Sequence, residues 1–391
     1  MTRRYRILYH HRIRAEDGQA MHVRELIRAL REEGHEVHEC ALVPKGDTEG
    51  GSNAEPVGGF WQRVRLPRVA TEVMEIAYNR TAMRMLESAC DRFRPDFIYE
   101  RHALHLFAGL RVARRRRLRL LLEVNSPMVD EMTRLRLLHF RRRAARVERE
   151  VLGGADRVFP VTAVLRDWLV RCGADPAACR VVPNGADPAR YGDTTRAEAA
   201  ALRRSRGVPA TAPVIGFVGY MRDWHRLDFA VDALGLPGMD QVHLCLVGEG
   251  PALPSVVGRA QQLSVGDRVH VFPAVPPREV PKHVSMFDVG MIPAINPYSS
   301  PLKLFDYFAA GVAAIAPDQP NVRESVTDAE NGILFAADDG DAFGSRLAAA
   351  LGDLDRTRAI GRAGLDRLLE RDWTWRGNAR RVVAAYEELA R

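Results

Sequence analysis

Lysine, cysteine and long apolar runs are all scarce in this sequence of 391 residues. Lys45, Lys282 and Lys303 are the only lysines, so arginine carries nearly all of the positive charge. No run reaches the ~18 apolar residues that a membrane-spanning helix needs, which argues against a transmembrane protein. Residues 1–12 contain no apolar stretch of the secretory type, so we expect no signal peptide and a cytoplasmic location.

The five cysteines are an odd number and are not spaced like zinc ligands, so we predict reduced thiols and no metal. Hydrophobic residues make up 46% and charged residues 27%, which is typical of a packed globular protein. The length favours two domains over a single core.

The net charge of +7 has its basic excess in the first half of the chain. Two arginine clusters, within 111–119 and 134–149, suit an anionic membrane surface or a phosphorylated acceptor. The alternative, to which we give equal weight, is a pair of solvated helix faces. We do not expect nucleic acid as a partner, because no aromatic-interleaved basic motif is present.

Short apolar runs alternate with amphipathic stretches, a pattern that predicts an α/β fold of repeated βα units with parallel sheets. The predicted strands are 6–9, 36–42, 97–99, 118–123 and 157–161, then 214–218, 242–247, 269–272, 289–292, 313–316 and 332–335. The turn-rich segment 183–188 separates the two series. We therefore predict domains at 1–188 and 189–371, with ligand at the carboxyl ends of the strands.

Three loops of the second domain follow apolar strands and are suited to phosphate. The first, 216–226, has Gly219 at its turn and Arg222, His225 or Arg226 to add charge. The second contains Gly248 and Gly250. Taken singly, each of these two loops would be weak evidence, and a plain structural turn would be the better interpretation.

The third loop, 296–311, is the most informative. Ser300 suits an N-cap, Pro301 a first helical residue and Gly311 a helix stop. The helix would place its first-turn N–H groups and the Lys303 ammonium where they stabilise a diphosphate, and Asp306 where it accepts bonds from sugar hydroxyls.

The order of these segments resembles glycosyltransferase family 4, a group of GT-B enzymes. The resemblance rests on the Gly18 loop and its helix, then 94–101, 182–187, 216–219, 246–251 and 300–307. It implies two Rossmann-like domains facing across a cleft, with a terminal helix (372–391) returning to the first. It also implies retaining, metal-independent transfer from a nucleotide-diphosphate sugar, with no cofactor.

The resemblance places the donor diphosphate between the Gly219 loop and the helix that starts at Leu302. It implies that the base is recognised largely through backbone atoms near Gly248 and Phe272. The implied donor-binding residues are Gly18, Gly219, Tyr220, His225, Gly248, Gly250, Phe272, Pro301, Leu302 and Asp306. We interpret the triplets 339–341 and 353–355, each Asp-x-Asp, as surface rather than metal ligands.

Several positions depart from the family pattern. The arginine and the lysine that the family usually carries in the first loop are replaced in this sequence by Tyr220 and His225. We therefore hypothesise that Arg222 supplies the missing positive charge with help from His225. Of the family's paired glutamates, one position holds Tyr298 and the other Asp306. We thus take Arg222 and Lys303 as catalytic candidates.

In the first domain, Asn125 stands where many relatives carry a histidine, and we include it among the catalytic candidates. An asparagine can orient a hydroxyl but cannot act as a base near neutral pH. Arg101, His102 and Glu123 are candidate acceptor contacts, although His102 could equally be structural.

We expect transfer of a hexose-type sugar to a glycan, lipid-linked or small-molecule acceptor, and include polysaccharide biosynthesis among its roles. Residues 60–78 are a candidate amphipathic contact with the inner membrane face. Two alternatives stay open: a nucleotide-sugar epimerase, and a non-catalytic protein that binds membrane or a partner. Tyr220 and Tyr298 favour the non-catalytic alternative, whereas Lys303 and Asp306 oppose it.

Overall fold

A computed structural model describes residues 3–15, 17–45 and 67–390 of the chain. It divides into two compact units, one of Met1–Pro183 with Trp375–Arg391 and the other of Asn184–Thr374. The sequence placed these boundaries at 188 and 372. Residues 60–66 of the predicted amphipathic contact lie outside the described residues.

The first unit contains a five-stranded parallel sheet in the order β2-β1-β3-β4-β5. Each strand predicted for this part of the chain forms. The strands are β1 (Arg6–His10), β2 (Glu36–Cys40), β3 (Phe97–Arg101), β4 (Arg119–Val124) and β5 (Arg157–Pro160). The helices are α1 (Gly18–Glu32), α2 (Arg68–Phe93), α3 (Ala108–Arg116), α4 (Met128–Arg134), α5 (Arg141–Gly154) and α6 (Ala163–Cys172).

The second unit contains a six-stranded parallel sheet in the order β11-β10-β9-β6-β7-β8. Its strands are β6 (Val214–Val218), β7 (His243–Val247), β8 (Val269–Phe272), β9 (Val289–Met291), β10 (Ala313–Pro317) and β11 (Ile333–Phe335). Its helices are α7 (Asp193–Ser205), α8 (Asp228–Ala233), α9 (Leu253–Gln262), α10 (Val280–Val284), α11 (Leu302–Ala310), α12 (Pro320–Arg323), α13 (Gly340–Gly352) and α14 (Leu354–Glu370).

The last helix, α15 (Trp375–Ala390), belongs to the first unit, as predicted. Its Tyr386 ring stacks on Phe97, with centroids 4.4 Å apart, and meets Tyr5 edge-on at 5.2 Å. Trp375 meets the His22 ring at 5.0 Å. These aromatic contacts join the end of the chain to β1, β3 and α1.

Helix α1 shows how local sequence sets the ends of these elements. The Asp17 side chain accepts the N–H of Gln19 and caps the start of the helix. Gly34 follows the end with a φ of +92°, a conformation that glycine adopts without strain. Across the parts of the chain that the structure describes, no helix is both long and apolar enough to cross a bilayer.

Candidate active site

Two glycine loops meet at the carboxyl edge of the second sheet. Gly219 follows β6 with a φ of +133°, and Gly248 and Gly250 follow β7 with φ values of +132° and +151°. A Cβ on Gly248 would lie 2.2 Å from the Gly219 carbonyl oxygen, and one on Gly250 would lie 2.1 Å from the Met221 oxygen. Only glycine permits this close approach of the two backbones.

The third loop joins them through α11, which begins one residue later than predicted. Pro301, at φ −76° and ψ 121°, is the N-cap residue and makes no side-chain cap bond. Ser300 is not the cap, because its Oγ accepts the Asn184 N–H at 3.1 Å and its carbonyl accepts Asn184 Nδ2 at 2.5 Å. Gly311 ends the helix at φ +68°, as predicted.

Aromatic side chains fix the position of α11. Phe305, Tyr307 and Phe308 are fully buried. The Tyr307 hydroxyl donates to the carbonyls of Gly216 at 3.4 Å and Met291 at 3.3 Å, which ties the helix to β6 and β9. Burial raises the pKa of Tyr307 far above its usual value, so the phenol remains a donor.

Lys303 lies beside the first glycine loop. Its Nζ is 4.3 Å from the centroid of the Phe217 ring, and its Cε lies 3.9 Å from where a Cβ on Gly219 would be. Desolvation lowers the pKa of Lys303 to about 8, partly opposed by Asp306. The ammonium form therefore dominates at neutral pH.

The first turn of α11 also offers backbone donors. Among the described residues, the N–H groups of Leu302 and Lys303 have no acceptor, whereas that of Leu304 bonds to the Pro301 carbonyl at 3.1 Å. Free N–H groups at a helix N-terminus favour a bound anion. The Lys303 ammonium and this helix end together suit a phosphate group.

The Asp306 carboxylate accepts the Tyr191 hydroxyl at 2.8 Å. Tyr191 is buried, so it fixes the direction of the carboxylate one turn after Lys303. Contact between Asp306 and sugar hydroxyls stays a prediction.

Arg222 stands exposed on the Gly219 loop, with its guanidinium 5.0 Å from the centroid of the Tyr220 ring. Tyr220 and Trp224 are 47% and 45% exposed. Arg226, in contrast, pairs with Asp228 at 2.9 Å. Arg222 is thus the arginine of this loop that remains available to a ligand.

His225 does not supply positive charge, which corrects one part of the sequence-based hypothesis. The ring is buried, and burial, followed by the neighbouring Lys303 and Arg222, lowers its pKa to about 3. Its Nδ1 accepts the Arg222 N–H at 3.1 Å, which assigns the proton to Nε2. His225 is therefore a neutral residue that holds the loop and can donate one hydrogen bond.

Phe272 contributes through its backbone, not its ring. The ring is buried in the core, 5.3 Å from His283, and the carbonyl accepts the Gly248 N–H at 3.0 Å. Phe272 thus shapes the second glycine loop.

In the first unit, Glu123 is a structural carboxylate and not the free acceptor contact that the sequence suggested. Only 2% of the residue is exposed, and its two oxygens are saturated by donors. Burial opposes ionisation, but the charges of His22 and Arg101 and several hydrogen bonds lower its pKa well below the usual value. The donors are Arg101, Asn125, His22, Tyr9 and Tyr99.

Arg101 is held by the Glu123 carboxylate and is itself buried. Two neighbouring residues, Asn125 and His102, each have a buried polar atom without a hydrogen bond within the ranges that the structure describes. Asn125 donates Nδ2 to Glu123 at 2.6 Å, but its Oδ1 has no partner among the described residues. His102 Nδ1 is also buried with no partner in the described part of the chain, and burial next to Arg12 lowers the pKa of His102 to about 4. Asn125 thus stays a prediction as a catalytic residue, and His102 as an acceptor contact.

Gly18, the remaining donor candidate, is the first residue of α1 in the first unit. Sequence reasoning missed three residues that build the site in the second unit: Asn184, Tyr191 and Phe217. Asn184 belongs to the quoted motif 182–187 and Phe217 to 216–219, so their motifs were the available signals. No local signal marks Tyr191.

The two Asp-x-Asp triplets act as helix starts. Asp339 accepts the Ala342 N–H at 2.9 Å at α13, and Asp353 accepts the Arg356 N–H at 3.0 Å at α14. Within the described ranges, no group of three His, Cys, Asp or Glu side chains is arranged to hold a metal ion.

Two glycosyltransferase family models match this chain. Residues 17–190 match the model of Glycosyltransferase Family 4, and residues 212–353 match that of Glycosyl transferases group 1. A D-inositol 3-phosphate glycosyltransferase of Segniliparus rotundus is 26% identical, over 62% of this chain and 55% of that protein. The chain spans about half to two thirds of the length of the curated relatives that it matches.

Solved structures share the fold. Sucrose-phosphate synthase from Thermosynechococcus elongatus has a TM-score of 0.75 at 19% identity, covering 98% of this chain and 99% of that one. Anabaena HepE in complex with UDP-glucose has a TM-score of 0.70 at 16% identity, covering 98% and 100%. The two doubly wound units have the GT-B fold that these solved structures share. Among enzymes of this fold, the chain belongs to glycosyltransferase family 4.

Proposed function

We propose that the protein transfers a sugar, of hexose type, from a nucleotide-diphosphate donor to a glycan, a lipid-linked acceptor or a small molecule. The observation that carries this proposal is the meeting of the two glycine loops with Lys303 and the α11 N-terminus. Free backbone N–H groups and a cation in one place match the charge and size of a diphosphate. UDP and UDP-glucose occur in the crystal structures of Anabaena HepE.

In this proposal the leaving diphosphate is stabilised by Lys303, Arg222 and the helix end, without a metal ion. Negative charge grows on the diphosphate as the glycosidic bond breaks, so donors already in place lower the barrier. Neutral His225 donates one hydrogen bond from Nε2 and keeps Arg222 in position through its Nδ1.

We further propose that the anomeric configuration is retained. Glu123 is saturated by donors, so this carboxylate is not arranged as a general base. The leaving phosphate oxygen would then accept the proton of the attacking hydroxyl, on the same face from which it departs.

We also propose a cytoplasmic enzyme of polysaccharide biosynthesis that works next to the inner membrane face.

Thermal melting of the protein with a panel of nucleotide diphosphates and nucleotide sugars, in EDTA, tests the donor site. A ligand that binds only the folded state at 100 times its Kd stabilises it by about 2.7 kcal/mol. A shift with one base fixes the donor class. If no nucleotide raises the melting temperature, the proposal fails, and a non-catalytic binding protein becomes the better explanation.

The transfer itself is tested by NMR of the product formed from the donor that binds. An α-linked product from an α-linked donor supports retention, and an inverted product refutes it. Epimerised or hydrolysed donor in the absence of any acceptor would instead indicate an epimerase.

A further inference from the structure

The two arginine clusters of the first unit differ in how the fold uses them. In the cluster at 111–119, Arg116 pairs with Glu87 and with Asp91, the latter at 2.6 Å. Arg111 pairs with Glu150 at 2.7 Å, and Arg114 lies 3.8 Å from the same carboxylate. Carboxylates on α2 and α5 thus neutralise much of this cluster.

The cluster around 134–149 keeps uncompensated charge. Arg136, Arg141 and Arg142 are exposed, and among the residues that the structure describes none has a carboxylate within ion-pair distance. Arg141 and Arg142 also occupy the first turn of α5, where the positive end of the helix dipole disfavours cations. Local helix stability therefore does not explain these arginines.

Exposed apolar side chains lie on the segment before α5 and on α2. Each of the following six is at least 39% exposed: Leu135, Leu137 and Phe140 on the segment between α4 and α5, and Val69, Val73 and Met74 on α2. The two segments are bonded to each other, because Arg68 Nε donates to the Leu137 carbonyl at 2.8 Å. Glu72 also accepts the N–H groups of His139 at 2.7 Å and Phe140 at 2.9 Å.

We name these six apolar residues, with Arg136, Arg141 and Arg142, the α2–α5 surface. Its arginine side borders an open groove of about 750 Å³, lined by Phe140, by residues 141–143, and by Val129 and Thr133 among others. A free phosphate would use the cations but not the apolar rim. An apolar protein partner would bury the rim but leave the cations desolvated and unpaired.

We propose that the α2–α5 surface docks on a bilayer whose headgroups carry anionic phosphates. The arginines contact the headgroup phosphates while the leucine, valine, methionine and phenylalanine side chains enter the boundary between headgroups and acyl chains. This inference rests on the proposed function and deepens it by naming the surface that brings the protein to a lipid-linked acceptor.

Co-sedimentation with vesicles tests the charge, using phosphatidylcholine alone or mixed with phosphatidylglycerol. The variant Arg141→Ala/Arg142→Ala is compared with Arg114→Ala/Arg115→Ala, which removes the same charge from the neutralised cluster. Each arginine at an anionic surface contributes about five-fold, or roughly 1 kcal/mol, so we expect about a 25-fold weaker partition for the first pair. The control variant Arg114→Ala/Arg115→Ala should lose much less of its partition onto anionic vesicles. Equal losses for the two pairs, or equal binding to uncharged vesicles, would overturn the proposal.

A second comparison tests the apolar contact. Leu135→Ser, at a residue 57% exposed, should weaken vesicle binding severalfold even in high salt, whereas Leu369→Ser, 54% exposed in the second unit, should not. If inorganic phosphate releases the protein fully while Leu135→Ser binds as the parent does, the site binds free phosphate and the docking proposal is wrong.

Folding and function are followed separately in the same variants. All replaced side chains are exposed, so each variant should melt like the parent and keep its melting response to nucleotides. Loss of vesicle binding with an intact nucleotide response supports docking at this surface. A parent protein that ignores every nucleotide but binds anionic vesicles refutes the proposed transfer and leaves the docking inference standing.

Discussion

Replacing Lys303 with methionine removes the cation at the start of α11 and keeps the length of the side chain. A hydrogen bond between charged groups contributes about 1.5–3 kcal/mol, so donor affinity should fall roughly 10- to 150-fold. Turnover should fall further, by about 100-fold or more, if the ammonium acts mainly on the leaving diphosphate. The phosphate-binding role of the three loops depends on this result.

The free energy of unfolding should not fall in the Lys303→Met variant. Desolvation lowers the pKa of Lys303 to about 8, which means that the unliganded fold disfavours the ammonium that methionine would replace. The thioether of the Lys303→Met variant would also pack on the Phe217 ring, where the ammonium now lies 4.3 Å from the centroid. We therefore expect this variant to melt at or above the parent temperature at pH 7.

The assay is isothermal titration with the nucleotide sugar selected by melting, in EDTA, followed by initial rates at saturating acceptor. Lys282→Met is the matched control, because Lys282 is in the same unit and pairs with Glu279 at 2.9 Å. Unchanged donor affinity and unchanged turnover in Lys303→Met would refute the site. A similar loss in Lys282→Met would show a non-specific effect of charge.

Three further results are expected. Donor affinity should be constant up to about pH 8 and fall by up to tenfold per pH unit above it, because the Lys303 ammonium, with a pKa of about 8, loses its proton. Binding titrations at pH 7, 8 and 9 should show this decrease in the parent protein and no decrease in Lys303→Met. Arg222→Ala should weaken donor binding about tenfold, whereas Arg226→Ala, which loses its pair with Asp228 and its contact with the Phe229 ring, should not. Equal effects in binding titrations would remove the assignment of Arg222. Burial, with a smaller contribution from the nearby Asp130 carboxylate, raises the pKa of Glu148 from 4.5 to about 7, so ionisation of Glu148 lowers the stability of the fold as the pH rises from 4.5 to 7. Glu148→Gln should therefore stabilise the protein by up to about 3 kcal/mol at pH 8 and far less at pH 5. Equal shifts of the melting temperature at the two pH values would contradict this prediction.

The elements of the fold could be read from local sequence because the signals are local. Each of the eleven strands among the described residues overlaps a predicted apolar run, and Gly311 ends its helix at the predicted position. The start of α11 was misplaced because the Ser300 hydroxyl, a good cap by itself, bonds instead to Asn184. That competing partner is distant in sequence.

Ionisation in the candidate site could not be read in the same way. His225 follows a glycine loop and looks like a source of charge, yet burial near Lys303 keeps it neutral. Glu123 was a candidate acceptor contact, yet Arg101 and other donors surround its carboxylate. A pKa depends on desolvation and neighbouring charge, which are properties of the folded chain.

The sequence by itself determined the two βα series, the three phosphate-type loops and the family, because periodicity, glycine positions and motif order are local or ordered along the chain. Only the tertiary structure decided which groups remain available. It paired Arg116 with carboxylates but left Arg141 and Arg142 without them among the described residues, and it gave Asp306 a partner in Tyr191. The physical reason is that charge compensation and burial arise between segments far apart in sequence, which meet only when the chain folds.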